Sequence, residues 1–239
     1  MRLKALIFDV DGTLADTEEA HRCAFNDAFA QHGLDWHWSK PAYARLLSIT
    51  GGKERLAAYL DSLALGGGER HALTGRIAEI HETKTDIYAS MVIAGRVSLR
   101  DGVRRLIDEA AAANVQLAIA STTTLGNIET LLRTTLGRYA MQRFAVIGAG
   151  DQVRHKKPAP EIYRFVLREL SRSVHDCVAI EDSTIGLRAA KAAGLYTVVT
   201  PSYWTHAEDF SGADAVLPSL ATLRIRDLNE QLDGIAEYQ

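Results

Sequence analysis

The sequence of 239 residues predicts an α/β fold: a doubly wound, Rossmann-like parallel sheet with an inserted all-α cap domain. Two observations predict it. Short apolar segments alternate with helical patterns, and about a hundred residues of helical pattern separate the first two of these segments. A crossover between neighbouring strands is normally far shorter, so the long stretch is a separate insertion. We therefore predict a core of residues 1–16 and 94–239 and a cap of residues 17–93.

The predicted core elements are short and have recognisable ends. Five apolar runs end in polar or turn residues, as buried parallel strands do. One predicted helix begins with prolines and another stops at Gly194, both of which are common helix boundaries. The strands are predicted over residues 3–8, 115–120, 144–147, 177–180 and 196–200, and the core helices over residues 102–113, 158–170 and 183–193.

The inserted stretch has the apolar spacing of helices throughout and contains no strand candidate. Three consecutive glycines at residues 66–68 interrupt it, and we interpret them as a turn between two helices. The cap helices are predicted over residues 21–32, 41–48, 53–65 and 69–91. The cap is therefore expected to be entirely helical.

Charge and composition exclude several classes of protein. The formal net charge is -3, so the basic excess that a duplex-binding surface needs is missing. No apolar run approaches the length of a membrane span, and the apolar start of the chain lacks a secretory cleavage pattern. Two isolated cysteines do not make a disulfide framework. We expect a cytoplasmic protein without a nucleic-acid partner, membrane contact or obligate protein partner.

Two acidic pairs follow the first and the fourth predicted strands. Asp9 and Asp11 come directly after the first strand, and Glu181 and Asp182 close the fourth. Ligands of an open α/β sheet bind at the carboxyl ends of its strands, so we expect the four carboxylates to converge. Such a cluster repels itself unless a divalent cation joins it. Hard oxygen donors without clustered cysteines or histidines favour Mg²⁺.

Each acidic pair also has a simpler interpretation. The first could be a calcium loop or a purely structural turn, but a calcium loop has its glycine at the sixth position, whereas Gly12 follows the second aspartate. In the second pair, Asp182 could cap the next helix, as could Ser183. The common position at strand ends favours a shared site.

Two further strand ends carry groups that suit an anion. Ser121 and Thr122 follow the second strand, and hydroxyls and backbone N–H groups at a helix start bind phosphate oxygens well. Lys157 precedes a proline-led helix, where it could neutralise both a phosphate and the carboxylates. A hydroxyl-rich turn or a pair of lysines is common at solvated corners, so each signal is weak alone. Beside the acidic pairs they predict a phosphate site.

In chain order these elements read Asp-x-Asp-Gly-Thr, Ser-Thr, Lys-Pro and Glu-Asp. In this the chain resembles the haloacid dehalogenase superfamily of phosphohydrolases with a helical cap, over nearly its whole length. Residues 16–22, 50–55, 156–163 and 207–214 are similar to the branch that contains β-phosphoglucomutase and a Rubisco-associated xylulose-1,5-bisphosphate phosphatase. Dehalogenases proper lack the second aspartate at this spacing, so Asp11 argues against dehalogenation.

The resemblance implies a two-step reaction. Asp9 attacks phosphorus and forms an aspartyl-phosphate, while Asp11 protonates the leaving alcohol and then takes a proton from water. The implied Mg²⁺ ligands are Asp9, the backbone carbonyl of Asp11, Asp182 and, directly or as an outer ligand, Glu181. The transferring phosphoryl oxygens are held by Lys157 and Ser121.

Cap residues set substrate choice in this superfamily, so the resemblance points to substrate-binding residues in the cap. Gly51 and Gly52 open a helix whose free N–H groups suit a second phosphate. Lys53 and Arg55 add positive charge there, although a flexible helix start with solvated charges is the alternative. The other substrate-binding candidates are Glu18, His21 and Lys84 in the cap and Thr122 in the core. Simple surface positions are the alternative for the histidine and the second lysine.

Three functions fit these residues. The first is a Mg²⁺-dependent phosphatase of a small sugar phosphate, including bisphosphates such as xylulose 1,5-bisphosphate. The second is a phosphomutase, which keeps its aspartyl-phosphate until a second sugar hydroxyl takes the phosphoryl group. The third is a receiver-type signalling domain, which shares an aspartate-rich sheet end but has short crossovers. We predict the phosphatase, because the cap cations suit a doubly charged substrate.

Overall fold

The structure is a computed structural model that describes residues 3–236. The chain divides into two compact units, Met1–Asp16 with Ser98–Gln239, and Thr17–Val97. The second junction therefore lies at Val97, a little after the predicted residue 93. A single antiparallel bridge between Ala15 and Leu99 explains the shift, because it pairs the chain leaving the first unit with the chain re-entering it.

The first unit contains one parallel sheet. Among the described residues six strands form it: β1 (Ala5–Phe8), β2 (Gln116–Ala120), β3 (Phe144–Gly148), β4 (Cys177–Glu181), β5 (Tyr196–Val199) and β6 (Ala215–Val216). Their order in space is β3-β2-β1-β4-β5-β6, so the winding reverses between β1 and β4. In open α/β sheets ligands bind at such a reversal, beyond the carboxyl ends of the strands. The predicted fold class is confirmed.

The second unit is helical in the part that the structure describes. It contains α1 (Glu18–Gln31), α2 (Lys40–Leu46), α3 (Gly52–Ser62) and α4 (Gly67–Ile93). The interpretation of the three glycines was partly wrong. Gly66 caps α4, but Gly67 and Gly68 lie inside the helix, because the chain turns before them at residues 63–65.

Five helices accompany the sheet in the described part of the first unit: α5 (Val103–Ala112), α6 (Leu125–Leu136), α7 (Glu161–Leu170), α8 (Thr184–Ala192) and α9 (Ile225–Ala236). Short 3₁₀ turns occupy Ala140–Arg143, Gly150–Gln152 and Val174–Asp176. The apolar stripe of α7 buries Ile162 and Val166 against Ala118 and Ala120 of β2, which the helical spacing predicts.

Several elements differ from the sequence prediction. The helices α6 and α9 and the two-residue strand β6 were not predicted. The helix predicted from residue 158 begins at Glu161, since Pro158 lies in a turn and Pro160 is the N-cap residue of the helix. Among the described residues, no helix combines the length and the apolar character that a membrane crossing requires.

Candidate active site

The strand register places the first acidic residues side by side. Phe8, the last residue of β1, is level with Ile119 of β2 and Ile180 of β4. The next residue, Asp9, donates its N–H to the Ile180 carbonyl at 3.0 Å. Asp9 therefore leaves the sheet next to Glu181, at the reversal of the winding.

Three carboxylates form a buried group at this point. Asp9, Glu181 and Asp182 each offer an oxygen within 4.8 Å of the others. Their exposed fractions are 7%, 1% and 4%, so water does little to screen their mutual repulsion. Three of the four carboxylates that were predicted to converge therefore lie together, and Asp11 is not among them.

Lys157 lies between two of these carboxylates. Its Nζ is 2.6 Å from Asp9 Oδ1 and 2.6 Å from Glu181 Oε1. Burial alone would lower the pKa of Lys157, but the charges of Asp9 and Glu181 outweigh burial and raise that pKa above its usual value. Lys157 therefore stays charged, and one positive charge faces three acidic groups.

In Asp9, the nucleophile candidate, burial favours the neutral form of the side chain. It raises the pKa of Asp9 to about 8, with help from the charges of Glu181 and Asp11 and against the charge of Lys157. The charged form of Asp9 therefore needs a further positive charge near it at neutral pH. The lysine alone does not supply enough.

Tyr163 is a site residue that the sequence analysis missed. From α7 its hydroxyl donates to Glu181 Oε1, and the Lys157 Nζ lies 5.1 Å from the centre of its ring. Burial, followed by the charges of Glu181 and Asp9, raises the pKa of Tyr163 well above its usual value, so the hydroxyl remains a donor. The available signal was a polar aromatic residue on the buried stripe of a helix.

The second oxygen of Glu181 suits a cation. Among the described residues, Glu181 Oε2 has no hydrogen-bond partner although it is buried. It lies against Gly186, where an added Cβ would come within 2.0 Å of it. An orphaned carboxylate oxygen, three acidic groups and one lysine fit a divalent metal with oxygen ligands. The residues present can therefore hold a metal ion.

Gly12 permits the close approach of the first acidic loop to the second. Its φ is +82°, a conformation that glycine adopts without strain. An added Cβ would lie 2.1 Å from Asp182 Oδ2. Asp11, just before it, is half-buried and lies outside the group of three carboxylates, so its predicted metal contact concerns its backbone carbonyl only.

The hydroxyl residues after β2 lie at the same end of the sheet. Ser121 is buried, and its Oγ accepts from the Thr123 N–H at 3.2 Å, which leaves the hydroxyl proton for another acceptor. Thr122 is half-buried, and its carbonyl packs against Gly150. Thr124 caps α6 through its hydroxyl. Ser121 is therefore a buried hydroxyl that can donate its proton to a phosphoryl oxygen.

In the cap unit, His21 and Lys84 form a buried pair. The Lys84 Nζ is 2.7 Å from His21 Nδ1, and His21 stacks on Tyr88 with ring centres 3.9 Å apart. The Lys84 Nζ also lies 4.9 Å from the centre of the Phe25 ring. A lysine ammonium has no acceptor, so Nδ1 accepts and the proton of a neutral His21 is on Nε2. Simple surface positions are excluded for both residues.

Glu18 and Arg55 belong to a second cap cluster, joined by Tyr43. The Tyr43 hydroxyl donates to Glu18 Oε2 at 2.7 Å and accepts from Arg55 Nη1 at 3.0 Å. The rest of the guanidinium donates to the carbonyls of Leu46 and Ile49, at 3.1 and 3.2 Å. Arg55 thus supports the chain before α3, which its sequence position did not indicate.

The remaining cap candidates lie at the start of α3 and differ in their exposure to solvent. Gly51 caps the helix with φ +91°, and an added Cβ on Gly52 would lie 2.3 Å from His81 Nε2. Lys53 is exposed, whereas Arg55 is buried. The two cations that the sequence groups together therefore have different surroundings.

A Rossmann-like sheet with buried acids and a lysine at its reversal, interrupted by a helical unit after β1, defines the haloacid dehalogenase-like class of hydrolases. The model of the haloacid dehalogenase-like hydrolase family matches residues 3–194, and the chain belongs to this family. It is an enzyme, a phosphatase of this type. The predicted family is confirmed.

Relatives within the family are similar over almost the whole chain. Protein CbbY of Rhodobacter capsulatus is 48% identical over 230 residues, which are 96% of this chain and 99% of the relative. The crystal structure of CbbY from Rhodobacter sphaeroides in complex with phosphate has 46% identity and a TM-score of 0.88, covering 95% of this chain and 99% of that chain.

Two other solved structures bear on the functional alternatives. A mutant of the Rhodobacter sphaeroides CbbY in complex with xylulose-1,5-bisphosphate has 46% identity and a TM-score of 0.86, covering 92% of this chain and 96% of that chain. The β-phosphoglucomutase of Clostridium difficile has 19% identity and a TM-score of 0.75, covering 98% and 99%. At that identity the second likeness concerns the fold alone.

Proposed function

We propose that this protein is a Mg²⁺-dependent phosphatase of a small sugar bisphosphate, with xylulose 1,5-bisphosphate as the first candidate. The buried Asp9, held by Lys157 among further carboxylates, is the observation that carries the proposal. The xylulose-1,5-bisphosphate complex of a relative with 46% identity supports this choice of sugar.

In the first proposed step, an Asp9 oxygen attacks phosphorus and the bond to the sugar oxygen breaks. Asp11 gives its proton to that oxygen, so the sugar leaves with a neutral hydroxyl group there and keeps its other phosphate. Lys157 and Ser121 donate to the phosphoryl oxygens. Tyr163 and Glu181 keep Lys157 in place for this task, through the contacts described above.

In the second step, water attacks the phosphorus of the aspartyl-phosphate. Asp11, now ionised, takes a proton from this water, and the bond between phosphorus and Asp9 breaks to release inorganic phosphate. The enzyme regains the ionised Asp9 and the protonated Asp11. Splitting the hydrolysis in this way replaces one difficult displacement with two easier ones.

The residues that would hold Mg²⁺ are Asp9, Asp182 and the Asp11 carbonyl, with Glu181 as an outer ligand. When bound, the ion supplies positive charge that keeps Asp9 ionised and neutralises the phosphoryl group. Glu181 Oε1 already accepts from both Lys157 and Tyr163, so only Oε2, which has no hydrogen-bond partner among the described residues, is left to face the ion, and we assign this contact to a bridging water.

The cap is proposed to bind the rest of the substrate. Lys53 and the N–H groups at the start of α3 are assigned to the distal phosphate, because the lysine is exposed and α3 begins with two glycines. Glu18, His21 and Lys84 are assigned to the sugar, and Thr122 remains a proposed contact of the core. A cytoplasmic location also stays a prediction.

The experiment compares products from matched substrates. The purified protein is incubated with xylulose 1,5-bisphosphate, xylulose 5-phosphate or β-glucose 1-phosphate, each with Mg²⁺ and with EDTA. We expect stoichiometric phosphate release from the bisphosphate in Mg²⁺ only, without a bisphosphate activator. Phosphate and glucose 6-phosphate are both measured.

A phosphomutase would give a different product pattern. It must exclude water and hold a second sugar hydroxyl beside the aspartyl-phosphate. Conversion of β-glucose 1-phosphate to glucose 6-phosphate that is faster than phosphate release from every bisphosphate would overturn the proposal. Full activity in EDTA would show that the reaction needs no metal ion, and the Mg²⁺ part of the proposal would be wrong.

A further inference from the structure

Arg100 binds two separate segments of the first unit, at the point where the chain re-enters that unit. Its Nη1 donates to the Gly12 carbonyl and lies 2.7 Å from the Thr200 carbonyl and 3.0 Å from Thr200 Oγ1. Its Nη2 donates to the Pro201 carbonyl at 2.7 Å. The side chain is only 12% exposed, and its Nε lies 3.4 Å from Asp16 Oδ1.

The two segments that Arg100 joins are those that enclose Asp182. On one side Gly12 leaves no room for even a Cβ, which would lie 2.1 Å from Asp182 Oδ2. On the other side Thr205 Oγ1 donates to the same oxygen at 3.3 Å. Thr205 belongs to the turn that follows Pro201, and its Oγ1 accepts from the Ser202 N–H at 2.9 Å.

We propose that Arg100 is a positioning residue of the phosphatase site. It fixes the loop of Asp11 and Gly12 relative to the turn that holds Asp182, and it does so without touching the substrate. A guanidinium is suited to this role because its donors form a rigid planar fork, which a lysine ammonium does not reproduce. The inference rests on the proposed function, in which Asp11 and Asp182 act on the phosphoryl group.

The expected consequence is a loss of turnover more than of substrate binding. A displacement of about 1 Å in a catalytic group costs about 100-fold in rate. Arg100 donates to the carbonyl of Gly12, the residue after Asp11. Removal of the guanidinium would therefore let Asp11, the proposed proton donor, move. We expect kcat to fall by about 100-fold in Arg100→Met, and KM to change by no more than about 3-fold.

A second arginine provides a matched control. Arg105 also donates from one side chain to carbonyls of a later segment, those of Leu220 and Leu223, both at 2.6 Å. That segment carries none of the candidate site residues. Arg105→Met therefore removes a comparable set of hydrogen bonds without freeing the Asp11 loop.

The experiment measures three quantities on the full chain for the wild type, Arg100→Met, Arg100→Lys and Arg105→Met. These are Tm, the kinetic constants for xylulose 1,5-bisphosphate and for p-nitrophenyl phosphate, and the Kd of Mg²⁺ by calorimetry. We expect both Arg100 variants to lose kcat and Mg²⁺ affinity, the lysine variant less, and Arg105→Met to lose only Tm.

The outcomes separate this inference from the proposed function. If Arg100→Met and Arg105→Met lose kcat equally, or if Arg100→Met keeps its kcat and its Mg²⁺ affinity, Arg100 is merely structural and the inference is wrong. If KM rises alone, Arg100 contacts substrate instead. Should Arg100→Met fail to fold, Arg100→Lys decides by the same criteria. A wild type that hydrolyses no phosphate ester refutes the function, while Mg²⁺ affinity still tests Arg100.

Discussion

In the core, Lys157 lies between the carboxylates of Asp9 and Glu181, 2.6 Å from each. In the cap, Lys84 lies 2.7 Å from the imidazole of His21, and Arg55 donates to two carbonyls and the Tyr43 hydroxyl. Both regions bury cations. The hydrogen bonds described for Lys157 are to carboxylates, and those described for Lys84 and Arg55 are to neutral acceptors.

This difference separates two tasks. Buried opposite charges interact strongly, and acidic groups in excess of the lysine favour a metal ion, whose positive charge would in turn attract a phosphoryl group. Hydrogen bonds to neutral acceptors instead fix the orientation of a cationic side chain and leave its positive charge without an opposite charge beside it. The core is therefore built for a charge-dependent reaction, and the Arg55 cluster of the cap is built to hold a surface in one conformation.

The largest expected effect is at the nucleophile. We expect Asp9→Asn to lower kcat by about 10⁴-fold or more, because an amide is not an anionic nucleophile. The fold should survive, since burial already raises the pKa of Asp9 to about 8 and a neutral group fits there. Steady-state rates and Tm are the measurements, with the exposed Asp151→Asn as the control. Undiminished turnover in Asp9→Asn is incompatible with the mechanism.

The second effect concerns the proton donor. Asp11→Asn should lower kcat by about 100-fold or more, since the amide neither gives nor accepts the required proton. Its proposed metal contact is a backbone carbonyl, so Mg²⁺ affinity should stay close to the wild-type value. Calorimetry with Mg²⁺ and rate measurements check the two statements separately. Weakened Mg²⁺ binding with a normal maximal rate would show that the Asp11 side chain binds the metal ion and does not transfer the proton.

A smaller effect is expected at the exposed cation of the cap. Lys53→Ala should lower kcat/KM for xylulose 1,5-bisphosphate by about 10- to 100-fold and leave kcat/KM for p-nitrophenyl phosphate nearly unchanged. Only the bisphosphate has a distal charged group for Lys53. Lys40→Ala removes the same charge from another exposed cap position and serves as the control. Equal losses for both substrates, or none for either, would show that Lys53 does not hold the distal phosphate.

The smallest effect on the reaction, and a larger one on stability, is expected at Arg55. Arg55→Lys loses several buried hydrogen bonds, so we expect the free energy of unfolding to fall by about 1–3 kcal/mol. Thermal or urea unfolding measures this, and Lys53→Ala is the comparison without such a loss. An unchanged stability together with weaker bisphosphate binding would show that Arg55 holds substrate directly.

The core site could be predicted because its residues stand at strand ends. Parallel strands bring their carboxyl ends together, so Asp9, Ser121 and Glu181 meet once the strands are recognised. The position of residues at strand ends does not identify Tyr163 or Arg100. Their importance depends on one hydroxyl and one guanidinium reaching acceptors distant in sequence. The buried stripe of α7 marks Tyr163 as a polar residue in an apolar setting, but no local pattern identifies the acceptor of either side chain.

The helices of the cap could be predicted from the sequence, but most of its side-chain contacts could not. Helical spacing indicated its elements, but Lys53 and Arg55 look alike in sequence and differ in burial. Their difference depends on how α3 packs beside residues 46–49, which is a tertiary effect. In the core, the hydroxyl-rich segment after β2 was interpreted as a helix start that binds phosphate, but no helix range was predicted for α6, whose cap is Thr124.

The central position of β1 has a consequence for synthesis of the protein. β1 is made before the other described strands of its sheet, but it pairs with β2 on one side and β4 on the other. The helices of the inserted unit contact one another and can fold as soon as they emerge, whereas β1 waits for strands encoded far downstream. Until then it is an apolar segment with two open edges. The strand that leads to Asp9 is thus the part of the nascent chain that needs protection from aggregation.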